Sequence, residues 1–326
     1  MKKEDLRIVF MGTPEFAVET LDALVKNNYN VVAVVTQPDK PVGRHGSVLQ
    51  PSAVKQYALE HNLPVLQPVK MKDEAFVEEL RSYNANLQVV VAFRMLPEVV
   101  WDMPEYGTFN VHAALLPQYR GAAPINWAVI NGETRTGVTT FFLDHDIDTG
   151  KVIMQMPFEI SDDYNVEDVY DGLMHLGAEI CIKTLEKIVE TDGRPEVMPQ
   201  EEMAESEGEL KPAPKIFKET CRMDWNKTAK QVYDFVRGMS PSPGAWTMLK
   251  SPEGKETVMK VFGSRKTGST ASGRPGEIVV EGRRLLVACG DTSVLELTEV
   301  QLAGKKRMAA SAFINGMKNL TEYTLA

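Results

Sequence analysis

The chain has 326 residues, of which 43% are hydrophobic and 25% charged, and this balance excludes fibrous, collagenous and mostly disordered proteins. Its length corresponds to about two domains, and no apolar run reaches the roughly 18 residues that cross a bilayer. The start carries acidic residues unlike a signal peptide, and the three cysteines lie far apart, so we expect a cytoplasmic protein with no membrane partner and no obligate protein partner.

The net charge of −9 is unevenly distributed along the chain. Residues 1–205 hold 17 Lys and Arg against 32 Asp and Glu, whereas residues 206–326 hold 19 against 13. A basic C-terminal part on an acidic protein favours a polyanionic partner for that part. A solvated basic surface without any partner explains the same charge and stays open.

Strand and helix patterns alternate over residues 1–190, which we predict to form one domain. Predominantly apolar runs predict strands at residues 6–11, 31–35, 87–93 and 137–143. Apolar residues at helical spacing predict a long helix over 166–189. Continuous apolar strands separated by helices are typical of parallel sheets buried on both faces. The sequence therefore predicts an α/β domain with a doubly wound, mostly parallel sheet.

A second, smaller domain is predicted over residues 211–326, after a proline-bearing acidic linker at 191–210. One short helix is expected at 229–236. Five short strands with glycine-containing turns, which favour a small OB-like β-barrel, are expected near 247–249, 257–262, 277–280, 285–288 and 294–300. The Gly/Ser-rich basic stretch 263–276 between two of these strands predicts a mobile loop.

Gly12 follows the first predicted strand and precedes a helix, as in the first turn of a nucleotide-binding unit. The complete G-x-G-x-x-G pattern is absent, and Gln37 stands where an acidic residue would end the second strand. We therefore expect a tight turn at the edge of an active site rather than a nicotinamide site.

Asn110, Val111 and His112 alternate as in the end of a strand. Residues two apart share a face of a strand, so the Asn110 amide and the His112 imidazole point the same way. An amide donor beside a titratable imidazole suits acyl transfer, in which one group stabilises an oxyanion and the other handles a proton. A histidine held by a backbone carbonyl, with Asn110 capping the next turn, is the structural alternative.

Three carboxylates and a histidine follow the predicted strand 137–143, in the run Asp144-His145-Asp146-Ile147-Asp148. Doubly wound folds place catalytic groups at such strand ends, and a carboxylate near His112 would orient its ring. The same side chains suit a metal ion, which stays an alternative. Nucleophilic catalysis is not indicated, because neither a G-x-S-x-G turn nor a Cys–His pair is present.

The stretch NVHAALLPQYRGAAPI at 110–125, followed by DHDIDTG at 144–150, resembles the formyltetrahydrofolate-dependent formyltransferases. Their hallmark is Asn-x-His, a Leu-Leu-Pro stretch ending in Arg-Gly, and a later Asp before Thr-Gly. The resemblance covers nearly the whole chain, since other segments match in family order: IVFMGTPEFA, TQPDKPVGR, PAPKIFKETCRMDW, VRGMSPSPGAWT and GKKRMAASAFING. The last three favour the family members that act on methionyl-tRNA.

This resemblance implies a co-substrate, 10-formyltetrahydrofolate, and an initiator methionyl-tRNA partner, with no metal. Asn110 and His112 would stabilise a tetrahedral intermediate and Asp148 would assist proton transfer, in support of translation initiation. The implied folate-binding stretch is Ala114, Leu115, Leu116 and Pro117. The resemblance assigns Arg44 to a tRNA-reading loop, and the basic C-terminal part adds the expected tRNA contacts Lys211, Lys215, Lys218, Lys305, Lys306 and Arg307.

The sequence departs from the family pattern at Ala114, where a serine is common, and at Phe93-Arg94, which replaces Tyr-Gly near the folate pocket. It also departs after Arg44, where His45-Gly46-Ser47-Val48 replaces a lysine-rich continuation.

Three other functions are disfavoured by the residues present. Hydrolysis of formyltetrahydrofolate is disfavoured by the basic C-terminal part, and a non-catalytic RNA-binding module by the intact Asn110, His112 and Asp148. A nicotinamide dehydrogenase lacks its glycine fingerprint.

Overall fold

The computed structural model describes residues 1–43, 46–206 and 208–326. Contacts divide the chain into two compact units, each built from three stretches of sequence. Unit 1 comprises Met1–Gly121, Thr136–Glu159 and Tyr170–Pro212, and unit 2 comprises Ala122–Arg135, Ile160–Val169 and Ala213–Ala326. The domain boundaries at residues 190 and 211 remain predictions for independently folding parts.

Unit 1 is organised around one mostly parallel sheet in the order β5-β2-β1-β6-β7-β8-β9. The neighbours from β5 to β7 pair in parallel, whereas β7 and β8 are antiparallel. A separate hairpin pairs β3 with β4. The strands of this unit are β1 (Arg7–Gly12), β2 (Asn30–Val35), β3 (Lys40–Val42), β4 (Val48–Gln50), β5 (Val65–Leu66), β6 (Leu87–Val91), β7 (Thr108–His112), β8 (Arg135–Phe142) and β9 (Val152–Glu159).

The described ranges contain nine α-helices. The long helix expected from apolar spacing is confirmed as α6, and the short helix of the C-terminal part as α8. The helices are α1 (Glu15–Lys26), α2 (Ala53–Glu60), α3 (Glu74–Ser82), α4 (Glu98–Trp101), α5 (Pro124–Ile130), α6 (Val166–Glu190), α7 (Gln200–Ala204), α8 (Ala229–Met239) and α9 (Ala310–Gly316).

The central strands of unit 1 are buried on both faces, which explains their continuous apolar sequence. Val9 and Phe10 in β1 and Val89 in β6 have no exposed surface. The four strands predicted for this part are confirmed, and the mostly parallel α/β architecture with them. Strand β9 was not predicted, because it mixes apolar and polar residues and carries Pro157.

Gly12 ends β1 at the carboxyl edge of this sheet. A Cβ atom there would lie 2.7 Å from the Cβ of Ala17 and 3.0 Å from the carbonyl oxygen of Val91. Only glycine lets the chain turn here and enter α1 so close to β6. The tight turn is as predicted.

Unit 2 contains an antiparallel sheet in the order β12-β13-β14-β11-β10-β16, with β15 paired to β14. Glu277 bridges Thr324, and the amide of Leu325 donates to the carbonyl of Gly276 at 2.8 Å, so the sheet curls until its two edges meet. The five predicted strands and the barrel-like form are confirmed, and two short strands were missed. The strands are β10 (Ala245–Lys250), β11 (Glu256–Thr270), β12 (Ile278–Glu281), β13 (Arg284–Ala288), β14 (Ser293–Leu302), β15 (Met308–Ala309) and β16 (Thr324–Leu325).

The mobile loop expected at 263–276 is wrong for its first eight residues. They continue β11 to Thr270 and pair with β14, as at Lys266 opposite Leu295. The Thr267 hydroxyl also donates to the Val294 carbonyl at 2.7 Å. Main-chain hydrogen bonds to a neighbouring strand thus outweigh the loop-like composition of this stretch.

The segment 191–210 also contains regular structure. Val152 and Met198 exchange two main-chain hydrogen bonds of 2.9 Å, and α7 follows directly after Pro199. Gln200, the first residue of α7, has no exposed surface. The contacts of this segment belong to unit 1.

Within the described ranges, no helix is both long and apolar enough to span a membrane. The three cysteines, Cys181, Cys221 and Cys289, are free thiols with buried side chains.

Candidate active site

Strand β7 places Asn110 and His112 near the carboxyl edge of the unit 1 sheet. It runs between β6 and β8, with Asn110 opposite Phe141 and His112 opposite Thr139 across the antiparallel pair. Val111 between them is 3% exposed and belongs to the core. Asn110 and His112 therefore share the other face of the strand, as their spacing predicts.

His112 is buried, with 6% of the residue's surface exposed, and both ring nitrogens have defined neighbours. Nε2 lies 2.9 Å from the carbonyl oxygen of Tyr119, and Nδ1 lies 3.8 Å from Oδ2 of Asp148. A carbonyl oxygen can only accept, so Nε2 carries the hydrogen and the lone pair of the neutral ring is on Nδ1. The alternative of a histidine held by a backbone carbonyl is thus part of the actual arrangement.

Asp148 reaches His112 from the loop between β8 and β9. Its backbone has φ of +56°, a conformation that costs a non-glycine residue about 1–3 kcal/mol. Its Oδ2 accepts a hydrogen bond of 2.9 Å from the main-chain amide of Gly121. The 3.8 Å gap to His112 exceeds hydrogen-bond length, so Tyr119, and not Asp148, orients the neutral imidazole.

Gly150 fixes the return of this loop to the sheet. A Cβ atom at this position would lie 1.7 Å from the carbonyl oxygen of Phe142, closer than any side chain allows. The Asp-Thr-Gly sequence therefore has a steric reason: its glycine lets the loop pass against the end of β8 with Asp148 beside His112.

Asn110 supplies an amide with unused hydrogen-bonding capacity. Its Oδ1 is buried and has no hydrogen-bond partner in the residues that the structure describes. A buried polar atom without a partner costs about 1–3 kcal/mol, so a ligand that donates a hydrogen bond to Oδ1 would be stabilised here.

The stretch expected to bind folate follows β7 in the chain and is held by hydrogen bonds to its main chain. The Thr139 hydroxyl donates to the Ala114 carbonyl at 2.6 Å and accepts from the Leu116 amide at 3.1 Å. Gln155 donates to the Leu116 carbonyl at 2.7 Å. Of the four residues proposed for folate, Ala114, Leu116 and Pro117 are buried and Leu115 is half-buried. Alanine at 114 has no side-chain hydroxyl, and the hydroxyl that bonds the main chain of this stretch is that of Thr139.

Two side chains that the sequence did not single out also support Asp148. The Gln200 amide donates to the carbonyl oxygens of Asp148 and Gly150 at 2.9 and 2.8 Å. Its Oε1 accepts two hydrogen bonds from Arg120, of 3.0 and 2.8 Å. Arg120 lies in the family-like stretch 110–125, directly before Gly121, and this position could have indicated a role at the site. Gln200 had no such signal, because it lies in an acidic segment without apolar periodicity.

The other residues of the 144–148 run have separate surroundings. Oδ1 of Asp144 accepts a hydrogen bond of 2.7 Å from the main-chain amide of His145. The His145 ring packs edge-on against Trp101, with centroids 5.3 Å apart, and lies 3.9 Å from Glu98. In residues 1–43, 46–206 and 208–326, no group of three or more His, Cys, Asp or Glu side chains is placed to hold a metal ion.

Arg94, the departure from the family pattern after β6, braces a neighbouring loop. Its guanidinium donates to the carbonyl oxygen of Val69 at 2.9 Å and also to that of Pro68. Its Nε is buried without a partner among the described residues.

The residues expected to bind tRNA have different surroundings. Lys215, Lys218, Lys305 and Lys306 are exposed, and no carboxylate lies within ion-pair distance of them in the described part of the chain.

Arg307 instead pairs with Glu299 through two contacts of 2.5 and 2.7 Å, which raise the pKa of Arg307. Its guanidinium also lies 4.3 Å from the centre of the Phe262 ring. The main chain of Lys211 bonds to that of Tyr119 and to Gln118 in unit 1. Arg44 lies outside the described residues.

Comparison with known proteins covers the chain from end to end. A family model described as formyl transferase matches residues 6–185, and one described as formyl transferase, C-terminal domain, matches 215–318. The methionyl-tRNA formyltransferase of Parabacteroides distasonis is 58% identical over 325 residues, which is 100% of both chains. That of Bacteroides fragilis is 58% identical over 322 residues, covering 99% of this chain and 98% of its own.

A solved structure shows the same fold at low sequence identity. WlaRD, a sugar 3N-formyl transferase crystallised in the presence of dTDP and 5-N-formyl-THF, superposes with a TM-score of 0.62 at 16% identity. The match covers 92% of this chain and 99% of that one. From the family matches and the full-length relatives together, the chain belongs to the methionyl-tRNA formyltransferases, a group of enzymes within the formyl transferase family.

Proposed function

We propose that this protein transfers the formyl group of 10-formyltetrahydrofolate to the α-amino group of initiator methionyl-tRNA, and thereby supports translation initiation. The observation that carries the proposal is the placement of Asn110, His112 and Asp148 at one sheet edge, with Nδ1 of His112 and Oδ2 of Asp148 3.8 Å apart. The names of the full-length relatives support the tRNA substrate. The folate compound named with WlaRD is consistent with a folate co-substrate.

The reaction needs a proton to move from one nitrogen to another. The neutral methionyl amine attacks the formyl carbon, a new C–N bond forms, and the carbonyl oxygen becomes an oxyanion. The bond to folate N10 then breaks, N10 takes up one proton, and the amine loses one. The products are the N-formylated tRNA and tetrahydrofolate, so atoms and protons balance without a further reactant.

Asn110 is assigned to the oxyanion. Its side-chain amide can donate to the developing negative charge, while its unsatisfied Oδ1 can accept a hydrogen from a substrate nitrogen. Loss of one such donor typically raises the barrier by about 2.7–4 kcal/mol.

His112 and Asp148 are assigned to the proton transfer. Because Tyr119 engages Nε2, His112 acts through Nδ1, where a protonated ring would donate to the oxyanion or to the leaving nitrogen. Asp148 Oδ2 takes the proton of the attacking amine, directly or through a water. Acid–base help of this kind contributes about 10²–10⁴-fold to the rate.

The stretch Ala114–Pro117 is assigned to folate binding through its main chain and the half-buried Leu115, because the other three side chains face the protein interior. Lys215, Lys218, Lys305 and Lys306 are assigned to tRNA phosphates, with smaller contributions from Lys211 and Arg307. Arg44 is assigned to the acceptor end, from its match to the family loop.

The test follows the label of formyl-labelled 10-formyltetrahydrofolate. With charged initiator tRNA present, label is expected in an amide on the methionyl group, and without tRNA we expect almost no turnover. Rapid release of labelled formate that is independent of tRNA would contradict the proposal and favour hydrolysis. No turnover of either kind by the folded protein would favour a binding role.

A further inference from the structure

Gln200 is a buried side chain that bonds both to the loop carrying Asp148 and to Arg120, in the stretch that ends at Gly121. It has no exposed surface, and all four hydrogen bonds of its amide run to these loops or to Arg120. It falls between the family matches, which end at residue 185 and resume at 215.

The donors of Gln200 act on the strained part of the Asp148 loop. They bond the carbonyl oxygens of Asp148 and Gly150, on both sides of Thr149. Asp148 keeps φ of +56°, and such a conformation persists only where surrounding contacts hold it. Two donors from one buried amide provide that restraint.

The acceptor of Gln200 acts on the opposite loop through Arg120. Two guanidinium nitrogens of Arg120 share Oε1, so the orientation of the Gln200 amide is defined. The next residue is Gly121, whose amide holds Oδ2 of Asp148 at 2.9 Å. Main-chain and carboxylate positions of Asp148 are therefore set by one connected group of residues.

We propose that Gln200 is a positioning residue for formyl transfer, which sets the Asp148 carboxylate against Nδ1 of His112 with the help of Arg120. The assignment rests on the proposed function, since it acts through Asp148. Displacement of a reacting group by about 1 Å can lower a rate about 100-fold. Loss of the Gln200 hydrogen bonds should therefore slow the chemical step and leave substrate binding nearly unchanged.

Gln88 provides a matched control in the same unit. It is 1% exposed, lies in β6 and accepts a hydrogen bond from Thr108, away from the Asp148 loop. Gln200→Leu and Gln88→Leu each remove a buried amide at similar volume. Gln200→Glu is the second variant: it keeps an acceptor for Arg120 and removes both donors.

The experiment measures single-turnover formyl transfer at saturating substrates, with KM for each substrate, in the full-length protein. We expect Gln200→Leu and Gln200→Glu to lower the single-turnover rate about 10–100-fold, with KM values within about twofold. Gln88→Leu should keep the wild-type rate. If Gln200→Leu does not fold, Gln200→Glu decides the outcome.

The same change is then made in an Asp148→Asn background. A residue that acts through Asp148 should have little further effect there, whereas a general structural role would lower the rate again by the same factor. Wild-type rates in both Gln200 variants, or full additivity with Asp148→Asn, would overturn the inference. These results are distinct from failure of the proposed function, in which wild-type protein itself transfers no formyl group.

Discussion

The imidazole of His112 donates its Nε2 hydrogen to the carbonyl oxygen of Tyr119 across 2.9 Å. This main-chain contact fixes the tautomer, so the neutral ring presents its lone pair at Nδ1, toward Asp148. A carbonyl cannot gain or lose a proton in catalysis. The tautomer is therefore held by a group that does not change, which leaves Asp148 available for the proton transfer proposed for it.

His112→Ala and Asp148→Asn should each lower turnover by about two orders of magnitude or more, because each removes a group assigned to proton transfer. Steady-state assays, with circular dichroism to verify folding, check this. His145→Ala is the control: it lies in the same loop as Asp148, and its side chain is 68% exposed and packs on Trp101 of α4. Near-wild-type rates in either site variant would contradict the assigned roles.

Asn110→Ala should separate activity from stability. Oδ1 has no hydrogen-bond partner in the folded protein, so removing it breaks no such bond, and the free energy of unfolding should not fall appreciably on that account. In contrast, kcat should fall about 10²–10³-fold. Asn86→Ala is the opposite case, because Asn86 bonds the backbone of Arg7 and Asp5 at 2.8 and 2.7 Å. It should lose stability and keep its rate. Denaturant unfolding and kcat, measured on both variants, make the comparison.

The salt dependence of tRNA binding should distinguish free cations from paired ones. Each phosphate contact adds about 0.7–0.9 to the log–log slope, so Lys305→Ala with Lys306→Ala should reduce its magnitude by about 1.5. Arg307→Ala should change the slope less, because Glu299 already neutralises its charge. Binding titrations at salt concentrations between about 50 and 200 mM test this. An equal or larger effect of Arg307 would show that tRNA displaces Glu299.

The three thiols should be unreactive in the folded protein. Burial raises the pKa of Cys181 and of Cys221 above the usual value and that of Cys289 to about 12. A group with a raised pKa stays protonated as the pH rises through its ordinary range, so thiolate remains scarce near pH 8. Ellman titration should give no fast-reacting thiol in native protein and three after denaturation. A fast native thiol would contradict the burial.

Sequence patterns predicted the parts of the fold in which one physical cause dominates. Predominantly apolar runs such as that of β6 could be assigned because both faces of a parallel strand are buried. The glycine before a helix at Gly12 could be assigned because no side chain fits there. The extension of β11 to Thr270 could not be assigned, since pairing with β14 decides it and composition does not.

For the site, the shared face of Asn110 and His112 was predictable from period-two spacing. The preceding strand end pointed to the run 144–148, and the family resemblance singled out Asp148 within it. Tyr119 and Gln200 were not, because they act through a main-chain carbonyl and through long-range hydrogen bonds. Such contacts leave no local periodicity. The sequence thus identified the groups assigned to react, and the structure adds those that hold them.

The most direct test of the central claim is a double-mutant cycle between His112 and Asp148, read by single-turnover formyl transfer at saturating substrates. Residues that act as one unit show strongly non-additive losses. The variant carrying both His112→Ala and Asp148→Asn is expected to be about as slow as the slower single variant. If the two rate losses multiply, His112 and Asp148 act independently, and the shared proton transfer proposed for them is contradicted.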